Sequence, residues 1–234
     1  AVIRLRAAQF APLPEEPADK TSVADVAKAL LPAIRGGLRA HGHAAIFASL
    51  SMKALHDVPY MAQPTLVDAL CGLSRQIARK EPQKLNGRAV AAPYADTQTM
   101  VEAMFDSLVR FKELLGHPSI GRPNFTHMTT HTDALMTLEA MGYPELARAG
   151  HAGHRVHISA PVPELASAAG VCVDLAPLKT VMSKAFWNDP RNQDHWNGPW
   201  NKADNPNGDW IASGHLFKVL YSYHRLMGRI NDIE

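Results

Sequence analysis

Cysteine is the scarcest informative residue in this chain. Only Cys71 and Cys172 occur among 234 residues, 101 positions apart and without a C-x-x-C motif. That excludes a disulfide-stapled scaffold and a thiolate-based structural zinc site, leaving at most one long-range disulfide. An excess of one charge is missing too: Lys plus Arg is 24 and Asp plus Glu 22, a formal +2. Nothing in that balance points to nucleic acid, whose binders concentrate basic residues on one face. No run approaches the ~20 apolar residues of a membrane span. G-x-G-x-x-G, the P-loop, H-E-x-x-H and G-x-S-x-G are all absent, and Gly116 to Gly121 misses the last by one residue. Nucleotide-driven chemistry and serine hydrolysis therefore have no sequence support.

What is present is core material, 46% hydrophobic against 20% charged, which fits a folded globular chain rather than a disordered one. Histidine is conspicuous, at twelve residues. Its imidazole serves proton transfer and borderline metals such as zinc, iron, nickel and copper. The chain opens at Ala1 without the basic and apolar regions of a signal peptide. A cytoplasmic protein and a processed exported one remain equally open.

Residues 1–20, with Pro12, Pro14 and Pro17, read as an extended arm. From residue 21 the pattern is helical: Thr21 or Ser22 caps a helix that Pro32 kinks or ends before Gly36-Gly37. Ala44 to His56 reads as a short helix, and Pro64 opens another with Leu66, Leu70, Leu73 and Ile77 on one face. Residues 82–93 form a loop. Asp96 caps a helix striped by Met100, Met104, Leu108, Phe111 and Leu115. The next starts after Pro123-Asn124 and runs to Met141, stopped by Gly142 and Pro144. Short helices are expected at Pro144–Ala149, Pro163–Ala169 and Pro177–Trp187, and a long one from Trp210 to Ile230. Arg155–Ile158 and Val171–Val173 are the only short strand candidates. The fold class is all-α: one helical-bundle domain, 21–234, of about seven to nine helices.

Trp187 to Trp210 breaks the pattern with all four tryptophans and six asparagines. A loop this long is either a lid and stacking surface, with Trp196, Trp200 and Trp210 against a substrate ring, or a self-packed Ω-loop. Its Asp204 to Asp209 stretch imitates a calcium loop but lacks the closing Glu.

The chemistry concentrates in histidine. In His127-Met-Thr-Thr-His131 the rings lie one helical turn apart, above the apolar Ala134, Leu135 and Leu138, so both point inward. An inward pair needs partners, either neighbouring carbonyls and carboxylates or a metal. His151-Ala-Gly-His154-Arg-Val-His157 follows closely, and Gly153 favours a loop there. His151 is expected as a third ligand, with His154 and His157 as acid–base groups; the alternative is an exposed polar loop. His41, His43 and His56 flank the Ala44 helix, where either end could face the same cavity. His215 and His224 lie on opposite sides of the last helix.

The run PNFTHMTTHTDALMTLEAMGY from Pro123 resembles the last-helix motif of DinB-like metal-binding bundles. In those, an H-x-x-x-H pair and a histidine from an earlier helix hold a divalent metal. The resemblance implies His127 and His131 as the pair and His43 or His56 as the earlier ligand; the family's Arg-Gly-Gln is missing here. Extended through GYPELARAGHAGH, the run also resembles the histidine motif of questin-oxidase-like proteins, all-helical oxygenative enzymes of aromatic polyketides. Here the pair is spaced by four rather than three, and Thr126 replaces an Asn. Each resemblance covers about 30 of 234 residues.

The expected protein is a metal-dependent enzyme with a His-lined cavity, an oxidoreductase or oxygenase acting on a small ring-containing molecule. Its divalent metal, iron or zinc, is held by His127, His131 and His151. A DinB-like hydrolase or transferase is one alternative, and a non-catalytic metal, haem or small-molecule binder is another. The sequence has no C-x-x-C-H for covalent haem. No nucleic-acid partner is expected, and self-association stays open.

Overall fold

The computed structural model describes residues 15–19, 23–85, 90–110, 125–159, 185 and 208–230, with side chains of the last helix described from Lys218. The chain divides into two compact units. One comprises Ala1–Pro12, Glu113–Ile120 and Leu165–Lys218; the other comprises Leu13–Lys112, Gly121–Glu164 and Val219–Glu234. The sequence reading of one domain from residue 21 drew no such division. Of the first unit, only Ala185 and the opening turns of the last helix are described.

The described residues form seven α-helices: α1 Val23–Ile34, α2 His43–Asp57, α3 Pro64–Ala78, α4 Thr97–Arg110, α5 Phe125–Ala140, α6 Pro144–Ile158 and α7 Gly208–Met227. Among the described residues there is no named strand, only an antiparallel bridge between Leu38 and Gln83. No described helix is long and apolar enough to cross a membrane. The all-α expectation holds.

Local chemistry sets the boundaries. The Asp96 carboxylate accepts from Thr99 N at 2.7 Å and caps α4 as expected. Glu16 does the same for α3 from a distance in sequence, accepting from Thr65 N at 2.8 Å and Thr65 Oγ1 at 2.7 Å. At the end of α5, Gly142 takes a φ of +87°. Its N–H donates to Glu139 O, and that of Tyr143 donates to Leu138 O. This is a Schellman closure, which requires the left-handed residue that glycine supplies without strain. Pro32 lies inside α1, so the Lys28 carbonyl loses its helical donor, and α1 ends two residues later.

Helix α5 is the axis of the second unit. It packs against α2, α4 and α6, and every side chain from His127 to Leu138 is buried. Around it, α1 contributes Val26, Leu30 and Ile34, α2 Ile46 and Met52, α4 Met100 and Met104, and α7 Leu226.

Three expectations change. On α3 the inward face is Val67, Cys71, Ser74 and Ile77. Leu66 and Leu70 are half-buried at its edge and Leu73 is exposed, because the stripe is rotated by about one position to meet α1. The helix expected to stop at Ala149 continues to Ile158, absorbing both the expected histidine loop and the strand candidate at Arg155. Its glycines serve contact rather than turning. A Cβ on Gly150 would lie 2.4 Å from Leu135 Cδ2, and one on Gly153 would lie 3.0 Å from Gly37 O and 3.2 Å from Leu38 Cα. Finally, Trp210 belongs by its backbone to the first turn of α7. Residues 187–207 of the Trp/Asn-rich stretch, the short helices expected at Pro163 and Pro177, and the strand candidate at Val171 lie outside the described residues, apart from Ala185.

The two kinds of helical glycine separate experimentally. Gly72 on α3 has open space where a Cβ would go, so Gly72→Ala should stabilise by up to ~1 kcal/mol through helix propensity. Gly153→Ala should cost ~1–3 kcal/mol despite the same propensity gain, because rigid backbone blocks the methyl. Urea unfolding of both variants checks this; equal midpoints would contradict the packing.

Candidate functional site

A helix buried on all sides forces every polar group on it to find a partner within the protein. Thr130 and Thr132 donate to the carbonyls one turn back, Thr126 O and Met128 O. Asp133 accepts from Ser222 Oγ at 2.8 Å and lies 2.8 Å from Arg225 Nη1 on α7. The same guanidinium nitrogen donates to Thr137 Oγ1. The two imidazoles of the helix, His127 and His131, are both buried and one turn apart.

Their first partners come from the turn between α1 and α2. There Ala40 and His41, neither a glycine, take φ values of +44° and +53°, and Gly42 follows at +79°. Left-handed non-glycine residues cost about 1–3 kcal/mol each and persist only where the surroundings enforce them. This turn brings His43 Nε2 within 2.7 Å of His127 Nε2 and the His41 ring to 5.4 Å from the His127 ring. Phe47, one turn along α2, stacks on His43 at 5.2 Å. Gly42 is tightly constrained: a Cβ there would lie 2.8 Å from His131 Cγ and 2.9 Å from its Nδ1. The imidazole rests directly on the backbone of the turn.

Helix α6 supplies the other wall. His157 Nδ1 faces His131 Nδ1 at 3.2 Å with the rings perpendicular, 89° apart. The second nitrogen of His157, Nε2, is buried with no hydrogen-bond partner. His154 is the opposite case. The Thr132 hydroxyl proton goes to Met128 O, so its oxygen accepts from His154 Nε2–H at 2.7 Å. His154 Nδ1 is then bare and accepts the Tyr94 phenol proton at 2.9 Å. Both nitrogens are committed, which fixes the tautomer. His151 sits apart on the Tyr94 side, its Nδ1 accepting from Tyr94 N at 3.2 Å.

Burial sets the charge state of these rings. It drives His131 and His154 well below the ordinary histidine range, and neighbouring histidines push the same way. His157 falls to about 2, through burial and then the fields of His131, His127, His41 and His43. His151 falls to about 4, through burial and then Arg148 and Arg155. Burial raises the Tyr94 phenol despite the Arg155 guanidinium 3.9 Å over its ring. No described carboxylate contacts His131, His154 or His157. Asp133, itself raised by burial, is held by α7 instead.

The structure thus brings His127, His131 and His157 together with His41 and His43, which the sequence placed only as members of a flanking set. Of the two earlier ligands implied by resemblance, His43 is at the site. His56 is exposed at the far end of α2, beside Asp57. His151 and His154 face Tyr94. Tyr94 carried no sequence signal, since it lies in a loop without periodicity. His224 is exposed. Trp196 and Trp200 lie outside the described residues, as does the side chain of Trp210.

Compared with family models, curated proteins and solved structures, the chain matches none. Among the described residues, no three His, Cys, Asp or Glu side chains are grouped so as to hold a metal ion together. The donors come as two facing pairs. Two nitrogens bound to one ion at ~2.0–2.1 Å in a tetrahedron lie ~3.3 Å apart. The His131–His157 separation of 3.2 Å meets that, and the His43–His127 separation of 2.7 Å is shorter. Neutral imidazole is also the form that ligates.

The depressed histidines predict acid lability. Their folded pKa values lie below the unfolded value near ~6.5, so the unfolded chain binds protons first as pH falls. Stability is complete above that value and is lost as pH drops toward the folded values, about 4 for His151. Tm should fall by ~5 °C or more between pH 7 and pH 5. A Tm flat over that window would contradict neutral, buried rings.

Proposed function

We propose that this protein is a metal-dependent enzyme acting on a small ring-containing organic molecule. Its divalent ion, iron or zinc, would be held by the facing His131–His157 pair, with the His43–His127 pair as a second, separate pair of donors. The observation carrying this reading is the His131–His157 contact: two buried imidazoles face each other nitrogen to nitrogen, with no carboxylate between them. Histidines buried only for structure usually end on hydroxyls, carbonyls or carboxylates, as His154 ends on the Thr132 and Tyr94 hydroxyls. Here His157 keeps a nitrogen without any partner.

With iron, imidazole ligands and open positions suit oxygen-using chemistry; with zinc, they lower the pKa of bound water for hydrolysis. The absence of nucleotide and nucleophile motifs leaves oxygenase and hydrolase close, and the questin-oxidase-like resemblance favours the oxidative reading. In it, His154 is a positioning residue. The Thr132–His154–Tyr94 chain locks the face of α6 that carries His157, and Gly42 sets the depth of His131. His43 meets His127 because its turn holds a backbone that relaxed residues avoid.

Elemental analysis of protein purified without a histidine tag tests this. Iron or zinc near one per chain is expected in the wild type and in His56→Ala. At least tenfold less is expected in His131→Ala and His157→Ala. Iron together with oxygen uptake on aromatic substrates would favour the oxygenase, and zinc the hydrolase. No metal after reconstitution, or equal metal in all variants, would contradict the proposal.

A further inference from the structure

A second concavity, of about 390 Å³, lies on the outer side of α6, away from the paired rings. Leu31, Val90, Pro93, Ala149 and Ala152 give it an apolar lining, and Arg35, Arg148 and Glu145 supply charge. Positions 145, 148, 149 and 152 are spaced i, i+3, i+4 and i+7, so one stripe of α6 forms a wall. Among the described residues neither guanidinium forms an ion pair. The larger cavity, of about 650 Å³ between α1 and α3, differs in this respect. Its cations Lys28 and Arg75 already meet Asp25 at 2.9 Å and Asp68 at 3.3 Å, so both are already paired.

We propose that the Arg35–Arg148 cavity binds a small monocarboxylate with an apolar ring or chain, at a site separate from the histidine cluster. Two planar guanidinium forks without partners match the two oxygens of a carboxylate. The hydrocarbon walls take up the body of such an acid, and the volume lies within the range of small-molecule sites. Glu145 sets the charge of the guest. Two arginines and one glutamate leave one net positive charge, which balances a monoanion and leaves the second charge of a phosphate dianion uncompensated.

Calorimetric titration with benzoate and with inorganic phosphate tests this on wild type, Arg35→Gln, Arg148→Gln and Glu145→Gln. All three side chains are exposed, and an unchanged Tm would confirm that each variant is folded. Benzoate should bind wild type saturably, and each arginine variant should weaken it about tenfold or more. Glu145→Gln should tighten benzoate and admit phosphate, while His131→Ala leaves benzoate binding unchanged. No benzoate binding, binding insensitive to both arginines, or phosphate binding tighter than benzoate in wild type would overturn the assignment.

Discussion

The second unit depends on one constraint: α5 is buried on every side although more than half of its central residues are polar. A buried helix of ordinary composition needs only shape complementarity. This one needs a partner for each hydroxyl, carboxylate and imidazole, since an unmatched polar group costs roughly 1–3 kcal/mol. The requirement dictates what stands around it. Ser222 and Arg225 on α7 exist in this register to serve Asp133 and Thr137. Tyr94 and His154 close a chain that begins at Met128 O. The left-handed turn at Ala40–Gly42 gives up backbone comfort to lay His43 on His127 and the main chain on His131.

Two groups of histidine follow from the same packing. His154 has every valence used and is neutral by burial, so it stiffens the contact between α5 and α6. His157, one turn later on the same face, meets only another imidazole and keeps a bare or unshared nitrogen. Three residues therefore separate a locking role from the ligating role proposed for His157. Separation of the arginine-lined cavity on the outer stripe of α6 follows naturally, since the i, i+3, i+4 and i+7 positions from Glu145 face away from His154 at i+9 and His157 at i+12.

Much of this was legible before any coordinates. Periodicity, the Asp96 cap, Pro64 and the Gly142–Pro144 stop located the helices, because these are local effects of backbone geometry. The inward turn of His127 and His131 followed from the apolar Leu135 and Leu138 above them. Glycine misled at Gly153, because the same residue serves a turn and a close helix contact, and only the facing backbone at Gly37 distinguishes them. The stripe on α3 was misplaced by about one position because Leu66, Leu70 and Leu73 are greasy edge residues, whereas small Cys71 and Ser74 fit against α1. His41 and His43 gained their place from a strained turn, and strain leaves no mark in composition.

The central claim is that the facing imidazoles close on one metal ion. X-ray absorption at the metal edge, on tag-free protein loaded with one equivalent of zinc or iron, tests it most directly. At least two imidazole shells at ~2.0–2.1 Å, reduced in His157→Ala, are what the account predicts. A shell of oxygen donors alone, or imidazole scattering unchanged in His157→Ala, would contradict it.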